Sequence, residues 1–206
     1  MREKEMRKYI HMFGLAVLAG IAIGIGGIVY LSLENKIAGA LMFTIGLYTI
    51  CVHGLNLYTG KAGYLVCQPF SYLADLAVIW LGNLAGTGLA AAAVLHTRTD
   101  GIAQLAGQMS QTKIDDHPLS LFLLGVFCGF LMYVAVDGYK TAKHPAILFL
   151  GVAAFILCGF EHCIADMFYF SLAGAWSGRA ALCILVITLG NTAGAILIPF
   201  FKKGNR

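Results

Sequence analysis

The sequence predicts an all-α membrane protein with six transmembrane helices in two inverted three-helix repeats, the second and fifth helices being broken. Three observations carry this expectation. Of 206 residues, 59% are hydrophobic and 12% charged, against about 25% charged in ordinary soluble proteins. A water-soluble core of this size cannot hide that much apolar surface. Six stretches, at 12–33, 37–57, 70–96, 119–137, 145–170 and 180–201, approach the ~20 apolar residues a helix needs to cross a bilayer. Finally, the halves repeat each other. "LGNLAG", starting at Leu81, returns as "LGNTAG" from Leu189, about 108 residues later, and "HGLN" (53–56) returns as "CGFE" (158–161) after about 105. An odd number of spans per copy makes the second copy inverted, as in many transporters and channels, with the site at the repeat interface. The whole chain, 1–206, reads as one transmembrane channel domain with repeats at approximately 12–96 and 119–201.

The first span follows "MREKEMRK" and is too long for the apolar region of a signal peptide. The second runs into "HGLNLYTGKAGYL", where Gly54, Gly60 and Gly63 cluster beside Lys61. Glycine costs about 1 kcal/mol per helix position relative to alanine, so an unwound loop is expected around Asn56 and Thr59. The fifth span has its matching break at Gly159–His162. Irregular backbone at membrane depth survives only where protein or a water-filled cavity satisfies it. Between spans three and four lies "TRTDGIAQLAGQMSQTKIDDHP", the longest polar connection.

With the N-terminus inside, Arg2, Lys4, Arg7, Lys8, Lys61, Lys140, Lys143, Lys202, Lys203 and Arg206 fall on the cytoplasmic side. Lys36, Arg98, Lys113 and Arg179 fall outside. This bias, ten against four, places both termini in the cytoplasm. The net charge of +4 does not point to nucleic acid, because the cations lie near span ends. The six cysteines form no C-x-x-C pair and read as small buried hydrophobes.

One segment breaks the apolar pattern. "GFEHCIADMF" (159–168) places Glu161, His162 and Asp166 at membrane depth, where a charge costs at least about 2.5–3.5 kcal/mol on insertion scales. Groups kept at that cost handle charge or protons, or they hold an unwound turn together. The segment resembles the GFEH-S-IANM-F signature of the formate/nitrite transporter family. "NLYTG" (56–60) resembles that family's E-L-F-T-S/G loop, and "GNLAG" and "GNTAG" resemble its third and sixth spans. Lys113, ahead of Gly125, is similar to its vestibule lysine. The resemblance runs from about Phe13 to Phe200.

The resemblance implies an aquaporin-like protomer in the inner membrane, assembled as a homo-pentamer with one pore per protomer. Such proteins carry small monovalent anions such as formate, nitrite, hydrosulfide, acetate or lactate. It implies that His162 is the central pore histidine and Thr59 the loop threonine facing it. Leu57 and Tyr58, with Leu47, match the cytoplasmic constriction, and Phe43 and Phe155 the periplasmic one. Glu161 matches a buried ordering glutamate. The chain departs from the pattern at Asn56, where the family often has Glu, at Asp166, where it has Asn, and at Tyr58, whose hydroxyl could enter the constriction. The segment ahead of the first span is also shorter, at about eleven residues.

Other roles stay open for these residues. His162 could satisfy a backbone carbonyl, Glu161 could accept N–H groups of the unwound turn, and Asp166 could cap a helix. Asn83 and Asn191 could line the pathway or fix helix contacts, and Lys113 could be a solvated span-end residue. The expected mechanism concentrates the anion at cationic vestibules, Lys113 being one source. The anion then crosses as the neutral acid, or paired with protonated His162, with Thr59 as a hydrogen-bond partner. Transport should then be steepest between about pH 5 and 7. No enzyme activity, cofactor or metal is expected. A metal or enzyme site built on Glu161, His162, Cys163 and Asp166 lacks H-E-x-x-H spacing, and a neutral-solute pore fits a central His and Glu poorly.

Overall fold

The computed structural model describes residues 2–203; Arg206 and the side chains of Arg2 and Lys203, part of the charge bias, lie outside it. In chain order the helices are α1 (Arg2–Ser32), α2 (Lys36–His53), α3 (Tyr58–Lys61), continued by a 3-10 segment (Ala62–Cys67), α4 (Tyr72–Leu95), α5 (Ile102–Asp115), α6 (Pro118–Ala142), α7 (Ala146–Leu157), α8 (Cys163–Leu172) and α9 (Gly178–Lys203). The described residues contain no strand. Five helices, α1, α2, α4, α6 and α9, are long and apolar enough to cross a membrane.

The stretch expected as one span at 145–170 is divided into α7 and α8, each too short to cross alone. The division has a local cause. Gly159 has φ +67°, and Phe160 N–H reaches back to Phe155 C=O at 2.9 Å. Gly54 has φ +65° at the end of α2, and Leu55 N–H donates to Ile50 C=O at 3.0 Å. Both are left-handed helix stops, a conformation that glycine adopts without Cβ strain. At the other end of α2, Asn35 Oδ1 accepts the N–H groups of Ile37 (3.0 Å) and Ala38 (3.1 Å), the usual satisfaction of free N-terminal donors.

The polar connection 97–118 proves largely helical. Ile102, Ala106, Ser110 and Lys113 of α5 are buried at helical spacing and make one inward face. The sequence pattern hides this because two of the four inward residues are polar.

The tightest packing joins α1 to α4 and α6 to α9. A Cβ on Gly86 would overlap the Val17 carbonyl, and one on Gly194 the Val126 carbonyl. Small residues let helix backbones approach where lipid supplies no hydrophobic driving force. Gly194→Val therefore forces α6 and α9 apart. We expect a destabilisation on the order of 3 kcal/mol, seen as a lower thermal unfolding midpoint in detergent, whereas Gly88→Ala, with open space around it, should change the midpoint little.

Candidate functional site

Two asparagines build the site from behind. Asn83, on α4, accepts Tyr58 N–H at 2.8 Å and donates to the carbonyls of Ala16 and Asn56, both at 2.8 Å. Asn191, on α9, accepts Cys163 N–H at 2.9 Å and donates to the carbonyls of Gly125 (2.9 Å) and Glu161 (2.7 Å). Each amide thus ties the start of a resumed helix, the end of the unwound segment and a neighbouring helix to one point. Both asparagines are fully buried. Of the two roles open to them, lining the pathway or fixing helix contacts, their hydrogen bonds support the second, since their amides are spent on backbone and neither lines either of the two cavities described below. Asn56 has a related role. Its side chain donates to Met12 C=O at 3.1 Å, holding the first unwound segment against α1.

The two segments meet at Thr59 and His162, whose Oγ1 and Nε2 lie 2.8 Å apart. His162 also caps α8, since Ala165 N–H donates to its Nδ1 at 3.1 Å. Nδ1 therefore carries no proton, and the ring proton sits on Nε2 and is donated to Thr59. This leaves the threonine hydroxyl hydrogen free for another acceptor. Phe155 stacks on the imidazole at 5.5 Å between centroids, and Phe43 meets Phe155 edge-on at 6.2 Å. His162 and Thr59 are 2% and 1% exposed.

Cavities approach this pair from two sides. One, of about 220 Å³, runs under α5 and includes Phe43, Phe155, His162, Lys113, Glu161 and Asp166. The other, of about 180 Å³, is lined by Leu47, Leu57, Gly60, Lys61, Val136 and Lys140. The five residues expected at constrictions divide accordingly. Phe43 and Phe155 face the first cavity, and Leu47 and Leu57 the second. Tyr58 is a correction. It points away from both, and its hydroxyl bonds Thr192 Oγ1 at 2.8 Å in the crevice between α4 and α9, because Asn83 grips its backbone from that side.

Lys113 lines the first cavity but is not a free vestibule cation. It forms ion pairs with Glu161 and with Asp166, at 3.2 Å from Asp166 Oδ1. The three residues are 8%, 6% and 2% exposed. The solvated reading of Lys113 is therefore corrected, as α5 folds inward and delivers the ammonium to two carboxylates that lipid could not solvate. Glu161 also departs from expectation. Its carboxylate takes Lys113, while its main-chain carbonyl, not its side chain, serves the unwound turn.

Sequence reasoning missed Tyr30, Tyr169 and Thr112 in the first cavity. Their signal is weak, since aromatic and hydroxyl residues at span ends are ordinary. It also missed Trp80 Nε1 donating to Thr188 Oγ1 at 3.1 Å. That pair was findable, because the two positions share the separation of Asn83 and Asn191.

The apolar helices, with the family match, define a multi-pass membrane transport protein rather than an enzyme. The chain belongs to the formate/nitrite transporter family, whose model, described as "Formate/nitrite transporter", matches residues 1–201. It is 27% identical over 211 residues to the formate channel FocA of Haemophilus influenzae, covering 82% of this chain and 74% of that protein. It is 27% identical over 212 residues to the nitrite transporter NirC of Salmonella typhimurium, covering 88% and 78%. A pentameric formate channel solved with formate bound superposes at TM-score 0.83 and 25% identity, covering 97% of each chain. An FNT family ion channel superposes at TM-score 0.83 and 20% identity, a likeness of fold.

Asn191→Asp keeps the shape but removes both donors, leaving Glu161 C=O unpaired and cutting the tie to Gly125 C=O, which keeps its bond within α6. Each buried unpaired group costs about 1–3 kcal/mol. The unfolding midpoint should therefore fall further than for Asn56→Ala, which loses a single side-chain bond.

Proposed function

We propose that this chain is a channel for small monovalent anions of weak acids, formate, nitrite, hydrosulfide, acetate or lactate among them, with the passage running through each protomer past His162. The Thr59–His162 pair, reached at His162 by one cavity and neighboured at Leu57 and Gly60 by a second, and flanked by Phe43, Phe155, Leu47 and Leu57, is the observation that carries this reading. The named relatives act on formate and nitrite, which favours solutes of that size. A homo-pentamer is inferred from the solved formate channel.

The architecture is read as one domain of two inverted three-span repeats, approximately 12–96 and 119–201, with broken second and fifth helices. Support comes from the matched amide bonds of Asn83 and Asn191 and the matched glycine stops. On this reading α7 and α8 together make the remaining crossing, and the even count leaves both termini on the cytoplasmic side of the inner membrane.

The flanking residues are apolar, so a bare anion is badly solvated beside the pair. Taking a carboxylate out of water costs several kcal/mol even after relaxation. Protonating an acid of pKa near ~4 at pH 7 costs roughly 4 kcal/mol, and an acid titrating near neutrality needs almost nothing. Passage of the neutral acid is therefore favoured, with Thr59 donating to it. His162 acts as a neutral ring. An imidazolium would put a proton on Nδ1 against Ala165 N–H and lose the cap of α8.

The test is a flux panel of these anions, with glycerol for comparison, in proteoliposomes holding the native protein, His162→Ala or Thr59→Val. Native vesicles should pass at least one weak-acid anion, faster as the pH falls, and exclude glycerol. Each substitution should lower that flux at least about tenfold, the scale of one lost hydrogen bond to the crossing solute. Glycerol uptake without anion flux, or anion flux that is electrogenic and indifferent to pH, would contradict the reading.

A further inference from the structure

The cavity under α5 carries a charge imbalance. Lys113 supplies one positive charge, and Glu161 and Asp166 offer two carboxyl groups. With both ionised, the cluster presents a net charge of −1 to a cavity that is to admit an anion. Like charges sharing a buried site favour protonation of one of them.

The two oxygens of Asp166 differ. Oδ1 faces the Lys113 ammonium, while Oδ2 is buried without a hydrogen-bond partner, and the residue lines the cavity. A carboxylate oxygen left without a donor is costly, whereas a protonated one becomes a donor that needs an acceptor, and the Glu161 carboxylate lies within its reach. Among the described residues, no other group acting on Asp166 supplies the missing positive charge. On the 158–162 segment stand Glu161 and the neutral His162; on α8 itself, Cys163 and Tyr169. Opposite them are Cys128 of α6, Cys183 of α9 and Tyr30 of α1. Lys113 is the one cation among them.

On the channel reading above, we propose that Asp166 faces the anion in this cavity as a neutral carboxylic acid, its proton held toward the Glu161 carboxylate and Oδ1 kept on Lys113, so that the cluster of three is uncharged. The proton stays within the cluster, so no bond to the anion is made or broken. Anion admission then depends on the protonation state of Asp166. The admitting form is the acid form, present at low pH and lost as the pH rises through its value in the folded protein. Above that point the cluster faces the incoming anion at −1. Asp166 is in this way a specificity-determining residue, setting whether the cavity admits an anion.

The experiment compares formate uptake by native protein and Asp166→Asn in proteoliposomes at about pH 5.5 and about pH 8. The amide keeps a donor in the same place and does not titrate. Formate's own ionisation is common to both proteins, so the ratio of variant to native flux isolates position 166. That ratio should rise at least about fivefold from the lower to the higher pH. A ratio constant within about twofold overturns the proposal and leaves Asp166 a structural partner of Lys113. Infrared spectra of the native protein, with carbon-13 in the aspartate carboxyl groups, give a second measurement that does not depend on the variant folding. A protonated-carboxyl band that shifts with the label and fades as the pH rises is expected, and its absence at both pH values overturns the proposal. Native vesicles that pass no anion sink the channel reading itself, and the infrared band then still reports on Asp166.

Discussion

The rest of the structure depends on one constraint, that backbone groups released from a helix inside the membrane must find partners within the protein. Residues 54–57 and 158–162 are non-helical, and on the proposed architecture they lie at membrane depth. Asn83 and Asn191 meet the demand with one carboxamide each, giving two donors and one acceptor to three different chain segments. Because each amide reaches behind its loop, the front of the loop is left free to present Thr59 or His162. The glycines packed around these asparagines serve the same end. Without close approach of α1 to α4 and of α6 to α9, neither amide could touch the facing carbonyl.

The same economy governs charge. The apolar residues flanking the Thr59–His162 pair exclude water, which makes a bare anion expensive there and a hydrogen-bonding neutral solute cheap. The charged residues are set aside under α5, where Lys113, Glu161 and Asp166 largely satisfy one another. The chain thus separates a place where charge is tolerated from a place where it is costly, and the proposed weak-acid solute suits both because it can change its charge.

Much of this was legible in the sequence, unevenly. The break at Gly159 and the pairing of Thr59 with His162 follow from glycine clusters and a specific motif. The asparagines were found by the matched spacing of their motifs but their role was left open, because spacing tells where an amide lies and not which way it faces. Tyr58 failed for the same reason, its hydroxyl being turned toward Thr192 by the bond at its own backbone. The Lys113 cluster was the least visible. Its members are distant in sequence, and α5, which carries the lysine, buries serine and lysine on the face where a reader looks for leucine. Apolar periodicity cannot reveal a helix whose inward side is partly polar.

The two cavities also differ in how their lysines respond to salt. Under α5 the lysine is buried and already matched by carboxylates, so dissolved ions have little access to its field. At the other cavity Lys140 is exposed and Lys61 half-buried, and Lys140 leans on the ring of Tyr64 at 4.6 Å. Charges open to solvent lose most of their reach beyond about 8 Å at physiological ionic strength. On the proposed channel reading, the pull of Lys140 on an anion therefore weakens in brine, while the field of buried Lys113 stays largely blind to salt.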